Sequence, residues 1–249
     1  MMNRNQDQRV NVLGLHFDNV TMTQMKENIM HFMSENNRDN LFIVTANPEI
    51  ANYATQHSDY QQLVNRADYV VPDGTGIVMG AKMLKTPLQE RVPGIELMET
   101  CIQIANEKQQ RVYLLGSKPE IVDLAEQQLQ AQYPYVHFAS HHGYIDVHDQ
   151  SIADEIVAFD PDYLFVGMGY PRQEEWLERY AQHFTHTVMM GVGGSLEVFS
   201  GTKKRAPKLF RKLNLEWVYR LLIDWKRIGR VKNVPIFLYK VVKQKIGRN

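Results

Sequence analysis

Along most of this chain, short runs of β-branched and aromatic residues alternate with stretches whose apolar positions recur every three or four residues. The runs predict strands near residues 10–15, 41–45, 69–71, 112–115, 163–166 and 188–192, with a weaker one near 136–139. Between them the helical spacing predicts helices over 22–34, 49–53, 59–66, 77–84, 95–107, 120–130, 152–158 and 173–183. This rhythm predicts an α/β fold, a Rossmann-like, mostly parallel sheet with helices on both faces. No internal repeat or low-complexity linker interrupts it.

After Val192 the pattern changes. GGSLEVFSGTKKRAP is a glycine-punctuated turn followed by a basic joint, and over 209–228 apolar and basic residues interleave at helical spacing. VPIFLYKVVKQKIG begins another basic amphipathic segment behind Pro235. Charge sharpens the boundary: the chain holds 28 Lys and Arg against 28 Asp and Glu, yet residues 202–249 carry fifteen of the bases and only two acids, Glu216 and Asp224. That segment is +13 and the remainder −13. The expected division is a catalytic α/β domain over 1–201 and a basic helical C-terminal appendage over 202–249.

A segment so basic needs an anionic partner. Trp217, Tyr219, Trp225, Phe237 and Tyr239 suit the headgroup level of a membrane, and each base near an anionic leaflet contributes about 1 kcal/mol, which favours a membrane surface over nucleic acid. The alternative is that these apolar faces pack on the core. Cys101 is the only cysteine, so no intramolecular disulfide and no cysteine metal cage can form. The N-terminal MMNRNQDQRV has no apolar signal core, and no stretch approaches the roughly 18 apolar residues of a membrane span. The expected location is cytoplasmic. Self-association stays open: no residue pattern fixes a homo-oligomer.

In open α/β sheets ligands bind beyond the carboxyl ends of the strands, so the loops after each strand are the candidate site. They carry Thr45 and Asn47, then Asp73 and Gly74, Gly116, Gly169 and Gln173, and Gly193 and Gly194. Glycines there suit approach of backbone N–H groups to phosphate. Gly74-Thr75-Gly76 is followed by a glycine at 80 rather than 79, and no GK[ST] follows a strand, which disfavours nicotinamide or ATP chemistry but not a nucleoside diphosphate. Asp73, in ADYVVPDGTGIV, is either a cap for the helix that follows or a general base for a substrate hydroxyl. Thr45 and Asn47 either bind an acceptor sugar or cap the backbone before Pro48. Asp160-Pro161-Asp162 precedes its strand and so belongs to the wrong edge for a metal, and His141-His142 lacks a partner at ligand spacing. No metal or other cofactor is expected. Positive charge for a departing diphosphate falls instead to Arg91 and to Arg220, Arg227 and Arg230, whose spacing of seven and three puts them on one helix face.

TANPEIANYA, ADYVVPDGTGIV, RVPGIEL, VGMGYPRQEEW, GVGGSLEVFSG and KRAPKLFRKLNLEWVYRLLIDWKRIGR together, in order over nearly the whole chain, resemble the WecG/TagA/CpsF glycosyltransferases. The likeness is greatest to the TagA/TarA branch, which makes the linkage unit of wall teichoic acid. The resemblance implies inverting transfer of N-acetylmannosamine from UDP-N-acetylmannosamine to the 4-hydroxyl of N-acetylglucosaminyl-diphospho-undecaprenol, on the inner face of the plasma membrane. It makes Asp73 the base and Thr45 and Asn47 its polar neighbours. Arg91 and Gln173 would line the sugar and diphosphate pocket, Glu197 would be an acid of the nucleotide pocket, and Arg220, Arg227 and Arg230 would close over the site. Relatives that use the uronic acid donor differ at TANPE, which favours the uncharged sugar. The rival class is a nucleotide-sugar-binding peripheral membrane protein without transferase activity.

Overall fold

The structure, a computed structural model, describes residues 9–35, 38–207 and 233–247. The alternating runs become one six-stranded sheet, parallel at every pairing, built from β3 (Leu41–Ala46), β4 (Tyr69–Pro72), β5 (Arg111–Gly116), β6 (His137–His141), β7 (Tyr163–Gly167) and β8 (Val188–Gly191) in the order β4-β3-β8-β7-β5-β6. The central strands bury both faces, as their unbroken apolar runs require. One face is covered by α1 (Met22–Ser34), α5 (Gly94–Lys108), α6 (Pro119–Gln132) and the short α9 (Ser195–Phe199). The other carries α2 (Pro48–Ala54), α3 (Ser58–Arg66), α4 (Thr75–Met83), α7 (Ser151–Phe159) and α8 (Arg172–Tyr180). Within strands the period-two rule sorts side chains between the two cores: Ile43 faces α1 and α5, Val44 faces α2 and α3.

Two local expectations are corrected. Residues 10–15 are not one strand but part of an antiparallel hairpin, β1 (Arg9–Val12) and β2 (Leu15–Asp18), which forms a sheet of its own. Its turn residues, Leu13 at φ 55° and Gly14 at φ 86°, both lie in the left-handed region, as a two-residue type I′ turn demands. Leucine is a poor residue there, so the run VNVLGLHF reads as continuous strand. The turn is held by Asn11 Oδ1, which accepts from Gly14 N–H at 3.2 Å, and by Gln244 Oε1, which accepts from Leu13 N–H at 2.9 Å. The hairpin then protects the sheet edge, since Asp18 Oδ2 accepts from Val70 N–H of β4 at 2.8 Å while its Oδ1 pairs with Arg9 Nε at 3.0 Å. The second correction is α9, a helix where the sequence reads as a turn.

Gln244 belongs to α10 (Asn233–Ile246), the described part of the basic segment. Its inner side chains, Phe237 and Val241, are fully buried among α2 and α4 residues, so here the apolar face packs on the core rather than lying free. The approach is close: a Cβ on Gly80 of α4 would stand 3.0 Å from the Phe237 ring. Lys240 Nζ adds a hydrogen bond to Thr55 Oγ1 at 2.7 Å. The outer side exposes Ile236, Tyr239, Val242 and Ile246, with Lys243 Nζ 4.9 Å from the Tyr239 ring centre. Among the described residues no helix is long and apolar enough to cross a membrane. The predicted helix over 209–228, with Trp217, Tyr219, Trp225, Arg220 and Arg227, lies outside the described residues, as does Arg230.

Because Phe237 is fully buried between α10 and α4, Phe237→Ala is expected to destabilise the chain by about 3 kcal/mol, read from urea unfolding. An unchanged midpoint would mean that α10 is not docked in solution.

Candidate functional site

Six parallel strands end on one edge, and the chain divides there. After β5 it turns to α6 on one face, after β7 to α8 on the other, so the loops diverge and leave a crevice between these two strands. Its floor is bare backbone. Gly116 (φ +149°) lies so close to β7 that a Cβ would meet Gly167 O at 2.5 Å, whereas among the described residues nothing stands within 4 Å of where a Cβ on Gly169 or Gly193 would be.

At the β3 and β4 tips the chain brings together Asn47, Asp73, Gly74 and Arg91. Asp73 N–H donates to Ala46 O at 2.9 Å and Val92 N–H to Pro72 O at 2.9 Å, so the stretch carrying Arg91 runs beside the strand end that carries half-buried Asp73. Gly74 (φ +119°) is the residue that caps α4, one position beyond Asp73; a Cβ on it would come within 4.0 Å of Asn47 Cβ. Asn47 itself caps α2: its Oδ1 accepts from Glu49 and Ile50 N–H at 2.9 and 3.0 Å. Two backbone donors fix the oxygen on that side, and the amide NH₂ remains for another acceptor. Thr45 lies beneath the start of α5, where its hydroxyl donates to Gly191 O at 3.1 Å and sits 2.9 Å from where a Gly94 Cβ would be. It ties β3 to β8.

The β7 and β8 loops are joined by one side chain. Gln173, 4% exposed in the first turn of α8, accepts through Oε1 from Gly169 N–H and from Gly193 N–H, each at 3.1 Å. The expectation that glycine N–H groups face phosphate is therefore corrected at these two positions, where a buried carboxamide oxygen with two lone pairs already takes them. Gln173 Nε2 donates to Glu174 Oε1 at 2.7 Å. Glu197 in α9 pairs through Oε1 with Lys203 Nζ at 3.1 Å, while its Oε2 is buried beside Gly194 without a hydrogen-bond partner among the described residues. Such an acceptor is suited to a ligand hydroxyl. Two residues beyond Lys203, Arg205 pairs with Glu96 of α5.

Strand spacing sets the scale of the edge. Asp73 at β4 and Gly193 at β8 are two strands apart, about 10 Å, and Gly116 at β5 is four strands from Asp73, about 19 Å. One end thus holds a carboxylate and an amide, the other the glycine-lined crevice and Glu197. Arg220, Arg227 and Arg230 fall outside the described residues. Asp160 and Asp162 sit at the opposite, amino edge, where Asp162 Oδ2 accepts from Arg111 N–H at 2.8 Å. At the end of β6 the His141 and His142 rings pack 4.3 Å apart, and His141 Nδ1 lies 2.9 Å from His142 O.

Glu174 is absent from the sequence expectations, although it is 1% exposed. The signal was its spacing: Glu174 stands three residues before Leu177, on the face that Trp176, Leu177 and Tyr180 define as apolar. Its other polar neighbour is the Tyr60 hydroxyl of α3, which faces Oε2 at looser geometry than the Gln173 contact. Burial, with a smaller push from Glu175, raises the Glu174 carboxyl from the usual 4.5 to about 7, against the opposing hydrogen bonds from Gln173 and Tyr60.

Residues 10–249 match the model of the glycosyl transferase family WecG/TagA/CpsF. Over 242 residues the chain is 57% identical to the N-acetylglucosaminyldiphosphoundecaprenol N-acetyl-beta-D-mannosaminyltransferase of Staphylococcus aureus strain NCTC 8325 / PS 47, a span covering 97% of this chain and 95% of that one. The same enzyme from strain MRSA252 is 56% identical over the same shares.

Glu174 gives the fold a pH signature. An acid whose folded value is raised contributes fully below its unfolded value; that contribution falls between pH 4.5 and about 7 and stays lost above. Glu174→Gln cannot ionise, so its stability relative to the parent chain is expected to rise by about 3 kcal/mol between pH 4.5 and 8. Parallel urea-unfolding profiles for the two proteins would show that Glu174 ionises as freely as an exposed carboxyl.

Proposed function

Because this chain belongs to the WecG/TagA/CpsF glycosyltransferase family, we propose that it transfers N-acetylmannosamine from UDP-N-acetylmannosamine to the 4-hydroxyl of N-acetylglucosaminyl-diphospho-undecaprenol, inverting the anomeric carbon. The acceptor class follows from the name of the staphylococcal relatives. The observation that carries the mechanism is the layout of the edge, with Asp73 beside Asn47 and Arg91 at one end and the crevice with Glu197 at the other. About 10 to 19 Å of strand tips lie between, so a nucleotide can occupy the crevice while its sugar reaches the carboxylate.

The chemistry is a single displacement. The acceptor O4 attacks C1 of the donor sugar, its proton passes to the Asp73 carboxylate, and the bond from C1 to the β-phosphate oxygen breaks, with UDP leaving as the anion. Attack opposite the departing diphosphate inverts C1. Asp73 acts as general base, and the Asn47 amide NH₂, left over from capping α2, is placed to orient a sugar oxygen. Glu197 Oε2 suits a nucleoside hydroxyl. Charge on the leaving diphosphate is met by guanidinium groups, Arg91 first and then Arg220, Arg227 and Arg230 when the appendage is in place. Guanidinium charge in that role makes a divalent cation dispensable.

The substrate is held in a bilayer, and α10 supports a peripheral placement on the inner face of the membrane. Its outer side combines Ile236, Tyr239, Val242 and Ile246 with Lys243 and Lys245, an apolar and cationic surface of the interfacial kind.

Asp73→Asn is expected to keep UDP binding, measured by calorimetry, while transfer to a lipid-diphosphate acceptor falls by about two to four orders of magnitude. Turnover near that of the parent chain would reduce Asp73 to a structural residue. In the same assay the product linkage, read by NMR, is expected to be inverted relative to the donor, and chelator is expected to leave the rate unchanged.

A further inference from the structure

Glu174 plays no part in the displacement above, yet the chain buries an acid directly behind the donor loops. Its Oε1 accepts from Gln173 Nε2 at 2.7 Å, and it is packed against the end of β8, 3.1 Å from where a Cβ on Gly191 would lie. A carboxamide can present either its oxygen or its NH₂ to a given partner. What prevents Gln173 from turning over is that its NH₂ meets the accepting Glu174 Oε1 while its oxygen meets two obligate donors, Gly169 and Gly193 N–H. If the amide turned, three groups, Glu174 Oε1 and the Gly169 and Gly193 N–H, would face like partners in a buried site.

We propose that Glu174 is a positioning residue for the transfer: by accepting from Gln173 Nε2 it locks the amide whose oxygen joins the loops after β7 and β8, and so fixes the wall that these loops form on the β7 side of the donor crevice. This rests on the donor crevice assigned above. The groups facing Glu174 are Tyr60 from α3, Gln173 and Glu175 from its own helix, and the β8 backbone at Gly191; Tyr170, next to Gly169, acts on the neighbouring Tyr60. The strongest charge on Glu174 is thus a second carboxylate, which favours the neutral acid. In the neutral acid the carbonyl oxygen still accepts from Gln173, and the lock is kept.

Glu174→Met keeps the shape and removes the acceptor, leaving Gln173 Nε2 without its partner in a buried site, so folding of the variant is checked by urea unfolding before its exchange and binding are read. In this variant the Gly169 and Gly193 amide protons are expected to exchange at least about tenfold faster by NMR, UDP binding to weaken about tenfold, and the acceptor KM to stay unchanged. Glu174→Gln, which can still offer Oε1 to Gln173, is expected to recover most of the loss. Because Glu174 acts through Gln173, the double variant Gln173→Met/Glu174→Met should bind UDP no worse than Gln173→Met alone. Unchanged exchange at the two glycines, additive losses in the double variant, or faster exchange with UDP affinity intact would each overturn the proposal. A parent chain that binds no UDP would overturn the donor crevice itself, and the proposal with it, a failure told apart because it needs no variant to appear.

Discussion

Backbone pairing of β8 with β3 on one side and β7 on the other is the constraint on which the site depends. Without these four residues, Val188–Gly191, the half-sheet of β3 and β4 has no ladder to the half-sheet of β5, β6 and β7. The four are fully buried, and parallel pairing on both sides sets all six carboxyl ends on one edge. The seam is then stitched by side chains at its tip. Thr45 Oγ1 reaches across to Gly191 O from the β3 side, and Gln173 ties Gly193 to Gly169 from the β7 side. The separation between Asp73 and the crevice is therefore set by strand spacing, which side-chain motion cannot change.

That stitching explains why an acid is tolerated in the core. Taking a carboxyl out of water without a counter-charge is costly, and the chain lessens the cost by letting it stay protonated near neutral pH. A polar contact so placed does more for specificity than for stability, since its geometry admits one orientation of the Gln173 amide. The same logic places Asn47, where two helix N–H groups define which end of the amide is left for a ligand.

The sheet was legible because buried parallel strands leave unbroken apolar runs, and six of the strands were expected within a residue or so of where they lie. The hairpin was not, because its turn puts Leu13 in a conformation that leucine seldom adopts, and the contact that holds it there comes from Gln244, over two hundred residues away. The loops of the site were legible from their place after each strand. Which atoms in them are free was not: Gly169 and Gly193 look open to phosphate in one dimension, and only the fold brings Gln173 Oε1 to both. Asp160 and Asp162 were correctly assigned to the opposite edge because chain direction in a parallel sheet decides it.

The described part of the basic segment packs on one half of the sheet. Phe237 rests on Gly80 of α4, and Lys240 bonds Thr55 just beyond α2. These are the two helices whose first turns follow Asn47 and Asp73, whereas α6 and α8 at the crevice begin on the far half of the sheet. An apolar and cationic surface on the outside of α10 therefore lies on the Asp73 side of the molecule. In the proposed reaction the acceptor sugar is tethered to lipid and the donor is free in solution. The proposal assigns the two demands to two ends of one layout: the lipid-linked hydroxyl to the carboxylate end, on the side where α10 packs, and the soluble nucleotide to the crevice several strands away.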